Sequence, residues 1–199
     1  GFIIFSYTES MKKFLAILIL IFTLPTPSQA DGVEELEIEG MSVGDSLLDF
    51  MDKSEMDFAF LYKDKSFKTT YFDKPKIYDD IQISVKSDDN NYIIHNISGK
   101  IYYRKNYDEC LKNKIEITKA FQSVISSNVK TQNKNNVRRS SDPTGNSTWS
   151  YYAFYFADGS GAQVYCTDWS EELLKNKNYV DELKASLYSI EFTNFLLNR

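Results

Sequence analysis

The chain has 199 residues, a formal net charge of −5 at pH 7 and an aromatic content of 15%. A net negative surface gains nothing from counterion release at phosphates, so the balance speaks against nucleic acid as a partner. The aromatic content supplies enough apolar area for a packed core, which excludes a disordered chain.

Residues 1–10 (GFIIFSYTES) contain no Met and are expected to be an over-extended translation. Met11, Lys12 and Lys13 open a three-part export signal: a positive start, the apolar run Phe14 to Leu24, and small residues at Ser28 and Ala30. The run falls short of the about 20 residues that a membrane-crossing helix needs, and Pro25 and Pro27 end it. Residues 11–30 are therefore expected to be a signal peptide cut after Ala30. The next residue is Asp31, not Cys, which argues against a lipid anchor. Loss of Glu9, Lys12 and Lys13 makes the remainder one unit more acidic, and residues 31–199 are expected to form a single domain.

In that domain, apolar residues at 43, 47, 48, 50 and 51 predict a short helix near 43–53, with Asp45 placed to cap it and Gly40 and Gly44 at turns. Phe58 to Tyr62 and Phe67 to Phe72 read as strands around the turn at 63–66. Ile81 to Lys86 alternates with period two, and Tyr92 to Ile97 returns as its partner, continuing past a bend at Gly99 into Ile101 to Tyr103. A long helix is expected at about 107–127, with Ile117, Phe121 and Val124 on its buried stripe, covering one face of the sheet. Residues 128–146 are polar and basic and read as a mobile surface loop. Trp149 to Phe156 and Ala162 to Thr167 form the clearest hairpin, turning at 158–161, before a last strand at Leu183 to Tyr188 and a short helix at 190–197. Hairpin-joined strands with few helices between them give an α+β fold: an antiparallel sheet with helices packed on it.

Three features could carry chemistry. Gly44-Asp45-Ser46-Leu47 spells the signature of the GDSL esterases, in which the Ser is the nucleophile. Such a Ser needs a base and oxyanion donors, and the chain has neither a later Gly-x-Asn-Asp block nor an Asp-x-x-His. Its single His, His95, lies in a predicted strand, so helix capping at Asp45 or Ser46 is the expected role of this segment. The second feature is the aromatic hairpin, with Trp149, Tyr151 and Tyr155 on one face and Tyr152, Phe154 and Phe156 on the other. One face must meet the core; the other, together with the nearby Trp169, is a binding surface if no helix covers it. The third is the acidic scatter of Asp45, Asp49, Asp52, Asp79, Asp80, Asp88 and Asp89, which has no calcium-loop spacing and fits solvated turns. No metal or other cofactor is expected.

Cys110 and Cys166 are the only cysteines. Delivered to an oxidising compartment, an even count predicts a disulfide, the competing reading being two buried thiols.

The run Ile38 to Asp49 (IEGMSVGDSLLD), with Cys110 before a Lys-rich helix and the late segment Cys166-Thr167-Asp168-Trp169, resembles a group of small exported proteins from AT-rich marine bacteria. The resemblance implies an exported protein of this fold and no particular activity. The expected function is a non-enzymatic module, periplasmic or secreted. It would bind an envelope component, a protein or a small ligand through its sheet, with no nucleic acid and no lasting membrane anchor. The alternative is a GDSL-type hydrolase using Ser46.

Overall fold

A computed structural model describes residues 29–58, 60–73, 75–103, 106–176 and 179–198. The expected over-extension at 1–10 and the signal peptide up to residue 28 lie outside the described residues. Eight strands run in chain order: β1 (Phe60–Leu61), β2 (Phe67–Tyr71), β3 (Asp80–Lys86), β4 (Ile94–Tyr102), β5 (Lys130–Arg138), β6 (Thr148–Tyr155), β7 (Gly161–Asp168) and β8 (Glu182–Tyr188). The helices are α1 (Tyr107–Val124), α2 (Glu171–Asn176) and α3 (Ile190–Leu197), of which only α1 is long. All eight strands form one antiparallel sheet in the order β1-β2-β3-β4-β8-β7-β6-β5. The fold is thus two four-stranded meanders. The chain leaves the first at β4, passes through α1 to the far edge, and returns strand by strand until β8 pairs with β4.

Alternation along the strands sends Ile81, Ile83, Ile97, Leu183, Leu187, Ala162, Val164 and Phe154 to one face, all fully or almost fully buried. Contacts of α1 fall on this face. The ring of Phe121 meets Phe154 edge-on at 6.0 Å, the Tyr107 hydroxyl bonds Ser150, and Gln122 donates to the Tyr152 hydroxyl. The segment before β1 adds Val33, Leu36, Ile38, Met41 and Leu47 to the same apolar cluster. Gly99 is flat against the ring of Tyr78, which would lie 2.6 Å from an added Cβ, so it serves close packing within β4 and not a bend.

Four expectations are corrected. The helix near 43–53 is two single 3-10 turns, Leu47–Asp49 and Lys53–Glu55. Its backbone is committed elsewhere: Gly44 N–H donates to Ile94, Ile94 N–H to Asp45, and Leu47 N–H to Tyr92. Bonds to β4 and to the residues just before it replace the i to i−4 bonds that an α-helix would need. The cap is Ser46, whose Oγ accepts the Leu48 N–H, while Asp45 accepts from Ser42 N–H and closes the turn before it. Residues 128–146 are not one loop: β5 occupies Lys130–Arg138, between a short turn at 127–129 and a longer one after Arg138. An edge strand exposed on both faces has no apolar side to alternate, so its polar sequence reads as a loop while its ladder to β6 holds it extended. The turn after it is pinned by Asp142, which accepts hydrogen bonds from both the N–H and the hydroxyl of Thr144 and of Ser147. Burial opposes the charge of Asp142, but these donors outweigh it and hold the carboxyl well below the usual carboxylate range. Finally, α2 has no counterpart among the expected elements, and α1 stops at Val124, where Ile125 turns extended to bridge Ala30.

Cys110 and Cys166 are bonded, with Cα atoms 6.0 Å apart, joining the first turn of α1 to the middle of the sheet. Closing a loop of sequence separation 56 stabilises by about 4 kcal/mol on the chain-entropy account. Cys110→Ala and Cys166→Ala are each expected to lose about that amount in chemical denaturation, with the double variant adding little. Additive losses would show that the bond is not the common cause.

Candidate functional site: the open face of the sheet

The other face of the sheet carries polar and aromatic side chains in cross-strand rows. Register puts Tyr71 opposite Gln82, Gln82 opposite Ser98, Ser98 opposite Ser186, Ser186 opposite Gln163, Gln163 opposite Ala153, and Ala153 opposite Gln132. One row, bearing a hydroxyl or amide at every position but Ala153, therefore crosses seven strands. Ser98 and Ser186 bond each other at 2.9 Å, Ser98 reaches Asn96, and Thr69 bonds Ser84 in the adjoining row. These small residues form a shaded floor: Ser98 is 1% exposed and Ser186 6%, whereas Tyr71, Tyr102 and Tyr155 are 39%, 38% and 43% exposed. Such exposure of large rings on one face marks a surface with capacity for a partner.

Over the β5–β8 half the row is flanked by aromatics. Tyr155 and Tyr188 stand on one side, with the Tyr188 ring packed flat on Gly161; Tyr151 and Tyr165 stand on the other. The hydroxyls of Tyr151 and Tyr155 both donate to Gln132 Oε1, at 3.0 and 3.2 Å, so the two rings straddle Ala153 and are held in place. Next along β6, Trp149 lies 4.5 Å from Tyr151, centroid to centroid. The Arg139 guanidinium sits over Trp149, Tyr165 and Trp169 at 5.0 to 5.5 Å. Among the expected binding residues, then, Trp149, Tyr151 and Tyr155 do share the face away from α1, and Trp169 joins them through Arg139. The Trp149 ring is already engaged by a cation of the protein itself, which leaves Tyr151 and Tyr155 as the more available surface. Tyr152 and Phe154 point to the core, as one face of the hairpin must.

Charges on the face are partly neutralised internally. Lys100 lies 3.9 Å from Asp80 and 3.7 Å from Glu182, and the Tyr102 hydroxyl bonds Asp80. Burial, with the nearby Asp80 carboxylate, pushes the Tyr102 phenol above its ordinary range, so it remains a neutral donor.

Ser46 lies outside this face. Its Oγ donates to the Asn91 carbonyl at 2.7 Å and accepts the Leu48 N–H at 3.3 Å, so its hydrogen bonds among the described residues are structural. His95 is bound to a different serine: Nδ1 is 2.9 Å from Ser189 Oγ and 3.8 Å from Glu191, beside a cavity of about 260 Å³. Burial, reinforced by Lys86, lowers the His95 pKa. Nδ1 of His95 and the Ser189 hydroxyl share a hydrogen bond, and the Ser189 oxygen caps α3 through the Phe192 N–H. The arrangement caps a helix, and the hydrogen-bond partner of His95 Nδ1 is Ser189 and not Ser46. Among the described residues no group of three or more His, Cys, Asp or Glu could hold a metal ion.

A feature with no signal in the sequence is the pair Asp168 and Asp181, brought together where β7 ends and β8 begins. Burial, with the charge of Asp181, raises the Asp168 pKa; burial, with the charge of Glu171, raises that of Asp181, although it accepts the Trp169 N–H. A raised carboxyl pKa means that the ionised form costs stability when folded. That cost is present at neutral pH and disappears as pH falls through the folded pKa toward the unfolded value. Asp168→Asn is therefore expected to raise the melting midpoint at pH 7 and to lose its advantage near about pH 4, the ordinary carboxyl range, read by calorimetry at both. A lower midpoint at pH 7 would contradict the repulsion. For Ser46→Ala the expected loss is about 1 kcal/mol of stability, the usual worth of an N-cap, measured by urea titration.

No family model matches the chain, and neither does any curated protein or solved structure.

Proposed function

We propose that the protein is an exported, non-catalytic binding module, periplasmic or secreted, that takes an envelope component, a protein or a small ligand on the open face of its sheet. The observation that carries this reading is the set of exposed tyrosines, Tyr71, Tyr102 and Tyr155, on the face turned away from α1, beside a floor of preorganised hydroxyl and amide groups. Aromatic rings held at their hydroxyls supply contact area at low entropic cost, and neutral polar groups between them supply orientation. Export is supported by the three-part leader and by the Cys110–Cys166 bond, which persists in oxidising compartments. No helix among the described residues is long and apolar enough to cross a membrane.

Capture from a mixed panel of immobilised glycans, peptides and envelope extracts tests the reading. A ligand so found should lose about tenfold or more in affinity, some 1.4 kcal/mol, to the combined Tyr71→Ala, Tyr102→Ala and Tyr155→Ala variant, with the melting midpoint held. Undiminished binding by that variant would move the site elsewhere. A fluorophosphonate should leave the protein unlabelled; labelling abolished in Ser46→Ala would make it a hydrolase.

A further inference from the structure

The β5–β8 half of the open face combines its rings with cations in a regular way. Cross-strand pairing sets Lys130 opposite Tyr155, Lys134 opposite Tyr151, and Lys184 opposite Tyr165. Among the described residues none of these three lysines has a carboxylate within ion-pair distance; the ion pairs of this face belong to Lys100 and Lys86, on the strands of the first meander. Although the whole chain is acidic, this half of the face thus presents a lysine free of ion pairs beside Tyr151, Tyr155 and Tyr165. Between the rings run Gln132, Ala153, Gln163 and Ser186, a neutral strip polar at every position but Ala153.

Resting on the reading that the open face is the binding surface, we propose that its ligand is a linear acidic polysaccharide lying along β6, between β5 and β7. Sugar rings would rest on Tyr151 and Tyr155, and carboxylate or sulfate groups would meet Lys130, Lys134 and Lys184. Each part of the face matches one part of such a polymer. Ring faces take up the apolar C–H side of a sugar, the amides of Gln132 and Gln163 exchange hydrogen bonds with its hydroxyls, and the lysines supply the opposite charge that repeats along it. Tyr151 and Tyr155 on β6, like Lys130 and Lys134 on β5, are four residues apart, about 13 Å at the rise of a strand, so a chain running along β6 meets a ring and its cation again at that interval, with Lys184 on its other flank. A peptide fits less well. The edge that it would extend is blunted by Lys130 and Lys134 and broken by a bulge between Lys134 and Val137, with Asn136 at φ 54°.

Affinity electrophoresis of the whole disulfide-bonded protein, in native gels containing sodium alginate, dextran sulfate, neutral dextran or polyglutamate, tests this. The expected result is retardation by alginate or dextran sulfate, weakened about fivefold in Lys134→Gln and in Lys184→Gln, the upper end for an exposed ion pair. Tyr155→Ala should weaken it too, and Lys63→Gln, in the distant β1–β2 turn, should not. Lys184 is half buried, whereas Lys134 lies on the exposed edge, so Lys134→Gln carries the test if Lys184→Gln does not fold. Retardation by neutral dextran that ignores both lysine changes would overturn the acidic class while leaving the open-face reading intact. Equal retardation by polyglutamate, or retardation insensitive to Tyr155→Ala, would reduce the effect to charge alone and overturn the polysaccharide. No retardation in any gel would do the same. Retardation by an acidic glycan that none of the face substitutions changes would overturn both this inference and the open face as the site.

Discussion

The pairing of β4 with β8 is the constraint on which the rest of the structure depends. Everything else in the sheet is a hairpin or meander between neighbours in the chain, but this ladder, from Asn96 opposite Tyr188 to Tyr102 opposite Glu182, joins the two meanders into one surface. Its register matters as much as its existence. With Ser98 opposite Ser186, the apolar residues Ile97 and Leu187 fall on one face together and the hydroxyls on the other. A slip by one residue would send every side chain of β8 to the wrong face. The polar row from Tyr71 to Gln132 is continuous for the same reason, since half of it comes from each meander.

Given that sheet, α1 decides which face remains open. Its contacts and the Cys110–Cys166 bond lie on the apolar side, so the Tyr-, Ser- and Gln-bearing side keeps its exposure. The open face is closed at two ends by different means. At one end α3 brings Phe192 and Phe195 against Phe67, next to His95. At the other, the turn pinned by Asp142 delivers Arg139 onto Trp149, Tyr165 and Trp169. Between these ends lie the tyrosines whose rings are least engaged by the protein itself.

The segment IEGMSVGDSLLD acts as a fastening. Glu39, at φ 56°, accepts N–H groups from Lys76, Ile77 and Tyr78 through one carboxylate oxygen. Gly40 and Gly44 take positive φ, and Ser46 ties the segment to Asn91. Together these bonds hold the chain before β1 onto the first meander, where Met41 and Leu47 are completely buried. Here the resemblance of four residues to an esterase signature is explained by turn geometry and capping: the glycines are needed for φ, the serine for its oxygen at a helix start.

An even cysteine count behind an export signal was enough for the disulfide, and local pattern was enough for the α+β class, most strands, the long helix and the partition of the β6 aromatics between two faces. These are legible in the sequence because a side chain at i, i+2 or i+4 reports its face without knowing what lies opposite. The same reasoning fails at β5, whose nine residues have no buried face and owe their shape to β6. It fails too at residues 43–53, whose backbone groups are spent on β4 and the turn before it. Three matters were left to the assembled sheet: which face stays open, which lysine stands beside which tyrosine, and that Asp168 and Asp181 lie near enough to repel. Each of those depends on pairings between residues far apart in the chain, and such pairings are set by the burial of the whole sheet, not by any segment's own pattern.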